Sequence, residues 1–217
     1  MTVLKSLRWP FFFVVLIWMI EITNAVFRLN LEKFGVLPRD IEGAVGILAS
    51  PLLHADWSHL ISNTVPFFIL TSAVAMFYPN IKWRVWLFVY ILSGVMVWLM
   101  ARPYYHVGAS GLIYGFAAFL FGSGLFRKDF RAVAIAATVA ILYGGMVVGV
   151  FPTQPTMSWE GHLFGGISGL LAAYLFRNSS SGVFETASHK NYPNIDHREG
   201  YNNVENKHFR YNYKRKS

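Results

Sequence analysis

No cysteine occurs among the 217 residues, which excludes disulfide staples, thiolate nucleophiles and cysteine-bound metal centres. Charge is scarce as well: 14% of residues are Asp, Glu, Lys or Arg, against about 25% in an ordinary soluble domain. That shortage excludes a conventional water-exposed surface over most of the chain. No repeat of 20 to 50 residues is present, which argues against solenoid architectures. The net charge of +8 does not point to nucleic acid, because 7 of the 19 basic residues follow residue 177 and the others flank apolar runs. A membrane surface accounts for that pattern.

Hydrophobic residues are abundant, at 54%, and they are gathered into six runs at about 9–27, 57–77, 83–100, 110–126, 132–150 and 159–176. Each approaches the roughly 20 apolar residues that a spanning helix needs. The expected fold is an all-α polytopic membrane protein. Residues 1–177 form a six-helix membrane domain, and 178–217 a disordered cytoplasmic tail too polar to build a core. Lys5 and Arg8 before the first run also fit a signal peptide. The only cleavage-like site is Thr23-Asn24-Ala25, so a retained first helix is expected, with Glu21 facing the bundle interior or near the outer interface rather than in a catalytic role. Residues 28–56 are mixed and read as an interfacial segment with short helices. His189, His197 and His208 of the tail lack close ligand spacing, so no metal site is expected there, only association with lipid head groups.

Basic residues set the orientation. With the N-terminus inside, Lys5, Arg8, Lys82, Arg84, Arg127, Lys128, Arg131 and Arg177 lie on the inner side, and only Arg28, Lys33, Arg39 and Arg102 on the outer. Both termini are therefore expected in the cytoplasm. The second, fourth and sixth spans then start at the outer face, and each carries an unusual polar residue near its start: His59 with Asn63, Ser110, and His162. Such residues are costly in lipid and mark function. The fourth span is short, which sinks Ser110 below the outer surface and makes residues 103–108 a loop dipping toward a wet cavity.

A serine in Gly108-Ala109-Ser110-Gly111 can present its hydroxyl from a tight backbone, and a nearby histidine could take its proton. Ser110 and Tyr114 share one helix face, as do His59 and Asn63. Gly161, Gly165 and Gly169, with Gly166 beside them, form a small-residue stripe that lets a neighbouring helix approach closely. That stripe pairs the fourth and sixth spans and brings His162 toward Ser110.

Taken together, the six spans, Gly108-Ala109-Ser110-Gly111, Gly161-His162 with Gly165, and His59-Leu60-Ile61-Ser62-Asn63 resemble the rhomboid family of intramembrane serine proteases. The run His54-Ala55-Asp56-Trp57-Ser58 resembles the family's approach to its second helix. The resemblance implies a Ser110/His162 dyad without a catalytic acid and Tyr114 packed on the His162 ring. It also implies an oxyanion site of His59, Asn63 and the Ser110 backbone N–H, with Gly108 and Gly111 in support. The substrates implied are transmembrane segments of other proteins, and the location a bacterial inner membrane. No metal or cofactor is called for, and no nucleic acid. Many members carry Trp-Arg in the first external loop, where this chain has Pro38-Arg39. A small transporter would show repeated halves with interrupted helices, and a non-enzymatic relative would usually lack the dyad.

Overall fold

A computed structural model describes residues 3–152 and 158–180, all within one unit, Met1–Val183. The expected tail beyond 180, its three histidines, and residues 153–157 between the last two helices lie outside the described residues. Among the described residues there are seven α-helices: α1 (Val3–Phe27), α2 (Gly46–Ala49), α3 (Trp57–Phe77), α4 (Lys82–Met100), α5 (Ser110–Arg127), α6 (Phe130–Tyr143) and α7 (Trp159–Leu175). No strand is present among the described residues, only an isolated antiparallel bridge between Val36 and His106. Among the described residues, five stretches are long and apolar enough to cross a membrane: Leu4–Phe27, Trp57–Phe77, Lys82–Met100, Ser110–Arg127 and Phe130–Val150. At 17 residues, α7 is shorter than these.

One expected run changes character along its length. The stretch 132–150 is α-helical only to Tyr143 and continues as a 3-10 segment, Gly144–Val150. Two successive glycines carry the largest backbone-entropy cost in an α-helix, and neither Gly144 nor Gly145 has any atom near its Cβ position to repay it.

The helices pack around α5. Its Leu112, Phe116, Phe119 and Leu120 are buried against Phe67, Leu70 and Val74 of α3, Val85 and Val89 of α4, and Ala172 and Ala173 of α7. Aromatic pairs link these layers, with Phe67 edge-on to Phe116 and Tyr78 edge-on to Phe119. Lipid tails are as apolar as these side chains, so close van der Waals fit rather than water exclusion selects the partners. The tightest fit is glycine on glycine. A Cβ on Gly165 would overlap the Gly111 carbonyl, and one on Gly169 would overlap the Gly115 carbonyl. Bare backbones of α5 and α7 therefore touch along the expected stripe. Glu21 is buried within α1.

Residues 28–56 fold back over the ends of the helices. They contain 3-10 turns at Leu31–Phe34, Glu42–Val45 and Ser50–Leu52 besides α2. Arg39 anchors the segment: its guanidinium donates to the Ala101 carbonyl at 2.8 Å, its own N–H donates to the Trp98 carbonyl at 2.9 Å, and the Trp98 indole N–H donates to the Asp40 carbonyl at 2.7 Å. A cation here meets the partial negative charge of the unpaired carbonyls ending α4. Pro38-Arg39 is thus a firm attachment point. The Tyr90 hydroxyl adds a further tie by donating to the Leu48 carbonyl.

Candidate functional site

α3 begins where Asp56 accepts a hydrogen bond from the His59 N–H at 2.8 Å, satisfying one free donor of the first turn. One turn separates His59 from Asn63, so both side chains leave the same face. Asn63 is buried and donates one amide hydrogen to the His59 carbonyl at 2.7 Å, leaving the second N–H of its amide for another acceptor. The His54 ring lies edge-on to His59, with centroids 5.2 Å apart. It is buried, with neither ring nitrogen bonded to protein. Burial, reinforced by the neighbouring His59, pushes His54 down to about 3, so it is neutral at physiological pH.

The loop before α5 sets Ser110. Gly108 has φ 113°, a left-handed conformation that strains any residue with a Cβ. It also lies against the His59 ring, whose Cε1 and Nε2 would be 2.5 and 2.6 Å from an added Cβ. Its N–H donates to the Ser50 carbonyl at 2.9 Å, tying this turn to the segment before α3. Ser110 then opens α5, in the first turn, where backbone N–H groups have no partner in the helix and the helix dipole favours negative charge.

On α7, His162 is buried and stacks on Tyr114 of α5 with ring centroids 4.2 Å apart and planes 6° from parallel. Its Nδ1 lies 2.9 Å from the Gly149 carbonyl. A carbonyl only accepts, so Nδ1 carries the hydrogen and Nε2 of the neutral ring has a lone pair. The Tyr114 hydroxyl donates to the Met146 carbonyl at 2.8 Å. The 3-10 segment after α6 therefore holds both rings.

A single open cavity of about 560 Å³ is lined by Ser110, His162, Tyr114, His59 and Asn63, along with Tyr105 and Met146. The residues expected from sequence to act together thus surround one space at the start of α3, α5 and α7. Gly111 has the Gly161 carbonyl 3.3 Å from its Cβ position, so it serves helix approach and is not among the residues lining this cavity. A smaller space of about 40 Å³ also borders Ser110, beside Ser50, Gly108, Gly111 and Ser158.

The family model described as the Rhomboid domain matches residues 42–179. The chain belongs to the rhomboid family. An uncharacterized protein of Mycobacterium tuberculosis is 36% identical over 174 residues, covering 75% of this chain and 72% of the relative. One of Mycobacterium leprae is 35% identical over 174 residues, covering 75% and 68%. YdcA of Bacillus subtilis, named provisionally as a rhomboid protease, is 31% identical over 130 residues, covering 57% and 63%. The rhomboid family is one of intramembrane serine proteases, and its apolar helices make this rhomboid an integral membrane protein.

This rhomboid also carries a polar network that the sequence did not announce. Arg102, in the loop between α4 and α5, pairs through Nε with Glu160 of α7 and donates from Nη2 to its Oε2 at 3.1 Å. Glu160 is 2% exposed. Nearby, His106 Nε2 donates to the Arg102 carbonyl at 3.0 Å, which leaves Nδ1 to accept from the Ser158 hydroxyl at 2.6 Å. Burial pushes His106 below its ordinary value, which favours this neutral form. The network binds the loop carrying Gly108 to the start of the helix carrying His162. Nothing in the spacing of Arg102, His106, Ser158 and Glu160 marks them as partners; only the closeness of the two helices does.

Proposed function

We propose that this rhomboid is an intramembrane serine endopeptidase using a Ser110/His162 dyad. The observation that carries the reading is the cavity shared by Ser110, His162, His59 and Asn63. In the reaction, His162 Nε2 takes the proton from Ser110 Oγ as the oxygen attacks a peptide carbonyl, then returns it to the leaving amine. The negative charge developing on the carbonyl oxygen meets the His59 ring, the free N–H of Asn63 and the Ser110 backbone N–H. Water entering through the open cavity then releases the acyl-enzyme. A substrate segment displaces water from the cavity and brings the Ser110 hydroxyl into the hydrogen bond with His162 that the transfer needs. Tyr114 keeps the imidazole plane fixed, Gly108 admits the His59 ring, and Gly111 admits α7.

The membrane arrangement belongs to the same reading. α7 is the sixth span: its length of about 26 Å at 1.5 Å per residue falls slightly short of the bilayer core, a mismatch that local thinning accommodates at modest cost. Residues 1–177 make the catalytic unit and 178–217 a cytoplasmic tail, with both termini inside a bacterial inner membrane, as the basic residues flanking the inner helix ends favour. A nucleophile sunk below the outer surface acts on single-span proteins near the outer end of their span. Their helical carbonyls are internally bonded, so a helix-breaking residue beyond the cut and a small residue before it favour cleavage. The test is turnover of a single-span substrate by purified, reconstituted protein. Ser110→Ala and His162→Ala each abolish it, and the double variant is no worse than either single one. Turnover by Ser110→Ala protein would end the reading.

A further inference from the structure

A Ser-His pair without an acid leaves one chemical requirement open. Neutral imidazole has two tautomers, and only the one with hydrogen on Nδ1 has a lone pair on Nε2 for the serine proton. Something must select it, and selection by an acceptor on Nδ1 is how a catalytic histidine is held in its working form. The described residues offer one such acceptor, the Gly149 carbonyl at 2.9 Å. It comes from an unusual place. Gly144–Val150 has no buried residue, and α6, which leads into it, buries only Ala132, Ala136 and Val139.

We infer that the 3-10 segment Gly144–Val150 is the positioning element of the dyad, with the Gly149 carbonyl selecting the Nδ1–H tautomer of His162 and the Met146 carbonyl holding Tyr114 beneath the ring. This rests on the Ser110/His162 reading. During proton transfer the Nε2 lone pair takes the Ser110 proton while Nδ1–H stays in its bond to Gly149. The resulting imidazolium keeps a charge-assisted hydrogen bond to that carbonyl. Gly149 is required because its carbonyl can reach His162 only if its Cα comes close to both rings. An added Cβ would overlap the Tyr114 hydroxyl and come within 3.2 Å of His162 Nδ1. The α-helix ending at Tyr143 has a purpose here, because the change of winding after the two glycines frees the Met146 and Gly149 carbonyls to turn toward α5 and α7.

The test compares Gly149→Ala with Gly166→Ala, a variant outside the segment whose Cβ meets no atom within 4 Å. Initial rates on a single-span substrate in liposomes give kcat and KM, and ¹⁵N NMR of ring-labelled histidine reads the tautomer, with His162 assigned by its loss in His162→Gln. Gly149→Ala is expected to lose about 10²-fold in kcat with KM within about twofold, and to shift His162 away from the Nδ1–H form. Gly166→Ala should match the parent in both. Tyr114→Phe, which adds no volume and removes only the tie to Met146, should give a smaller loss with the same spectral direction. An unchanged tautomer in Gly149→Ala, or an unchanged kcat, overturns the inference. Ser110→Ala run alongside separates the cases: if it is inactive while Gly149→Ala is normal, the dyad stands and the positioning role falls.

Discussion

Replacing Gly165 by alanine probes the contact on which the site depends. The new Cβ would overlap the Gly111 carbonyl oxygen and lie 2.8 Å from the Gly111 carbonyl carbon and 3.0 Å from its Cα. Comfortable carbon contacts need about 3.5 Å or more, so α5 and α7 must part by roughly 1 Å. Both partners are backbone, and no rotamer change relieves the clash. Gly111 follows Ser110 directly and Gly165 lies one turn beyond His162, so the displacement is passed on to the dyad. A misplacement of that size costs about 10²-fold in rate, and forcing a methyl into a filled interface costs about 1–3 kcal/mol in stability. The neighbouring Gly166 supplies the control, since no atom lies within 4 Å of its Cβ position. Initial rates in liposomes and unfolding midpoints in mixed detergent should separate Gly165→Ala sharply from Gly166→Ala. Equal rates and equal midpoints for the two would refute the argument that helix contact through bare backbone sets the dyad.

The remaining expectations concern the polar groups around the cavity. Removing His59 or the Asn63 amide should lower kcat by about 10²–10³-fold, the scale of one lost oxyanion donor; full turnover in a folded double variant would reduce both to helix packing. Glu160→Ala should lower the unfolding midpoint by removing the buried carboxylate to which Arg102 Nε and Nη2 donate, a loss moderated because the Arg102 side chain is 38% exposed. Glu160→Gln, which keeps an acceptor, should lose less, and unfolding midpoints that do not rank the two this way would contradict the ion pair's importance. His54 has its folded pKa lowered from 6.5 to about 3, so the unfolded chain binds the extra proton throughout that window. Its contribution is therefore fully present above pH 6.5 and lost as pH falls toward 3, at up to about 1.4 kcal/mol per pH unit. His106, also lowered by burial, acts with the same sign. His54→Phe should flatten the acid limb of stability against pH, and an unaltered limb would show that His54 is not held neutral.

The sequence made legible those parts of the site that lie in side chains at helix starts. His59, Asn63, Ser110 and His162 are each unusual in an apolar run, and shared depth grouped them before any contact was known, while Tyr114 entered by sharing a helix face with Ser110. The glycine stripe of α7 was readable for the same reason, because a four-residue period of small residues has one common use in a membrane. The carbonyls of Met146 and Gly149 were not readable, since every residue has a carbonyl and only the backbone path decides which ones turn inward. That path departs from the α-helix expected over 132–150 at Gly144, where two glycines find no packing to offset their entropy. Arg39 was noticed only as an unusual loop dipeptide, and its role came from the ends of α4, 60 residues further on. Arg102 looked like one more interfacial cation until Glu160 appeared beside it.

Reaction of the reconstituted protein with a fluorophosphonate probe tests the central claim most directly, because covalent capture needs both a nucleophilic oxygen and a base to activate it. Peptide mapping by mass spectrometry should find one adduct, on Ser110, absent from Ser110→Ala and strongly reduced in His162→Ala. A protein that cleaves its substrate yet carries no adduct on Ser110, or carries it undiminished when His162 is removed, would contradict the account.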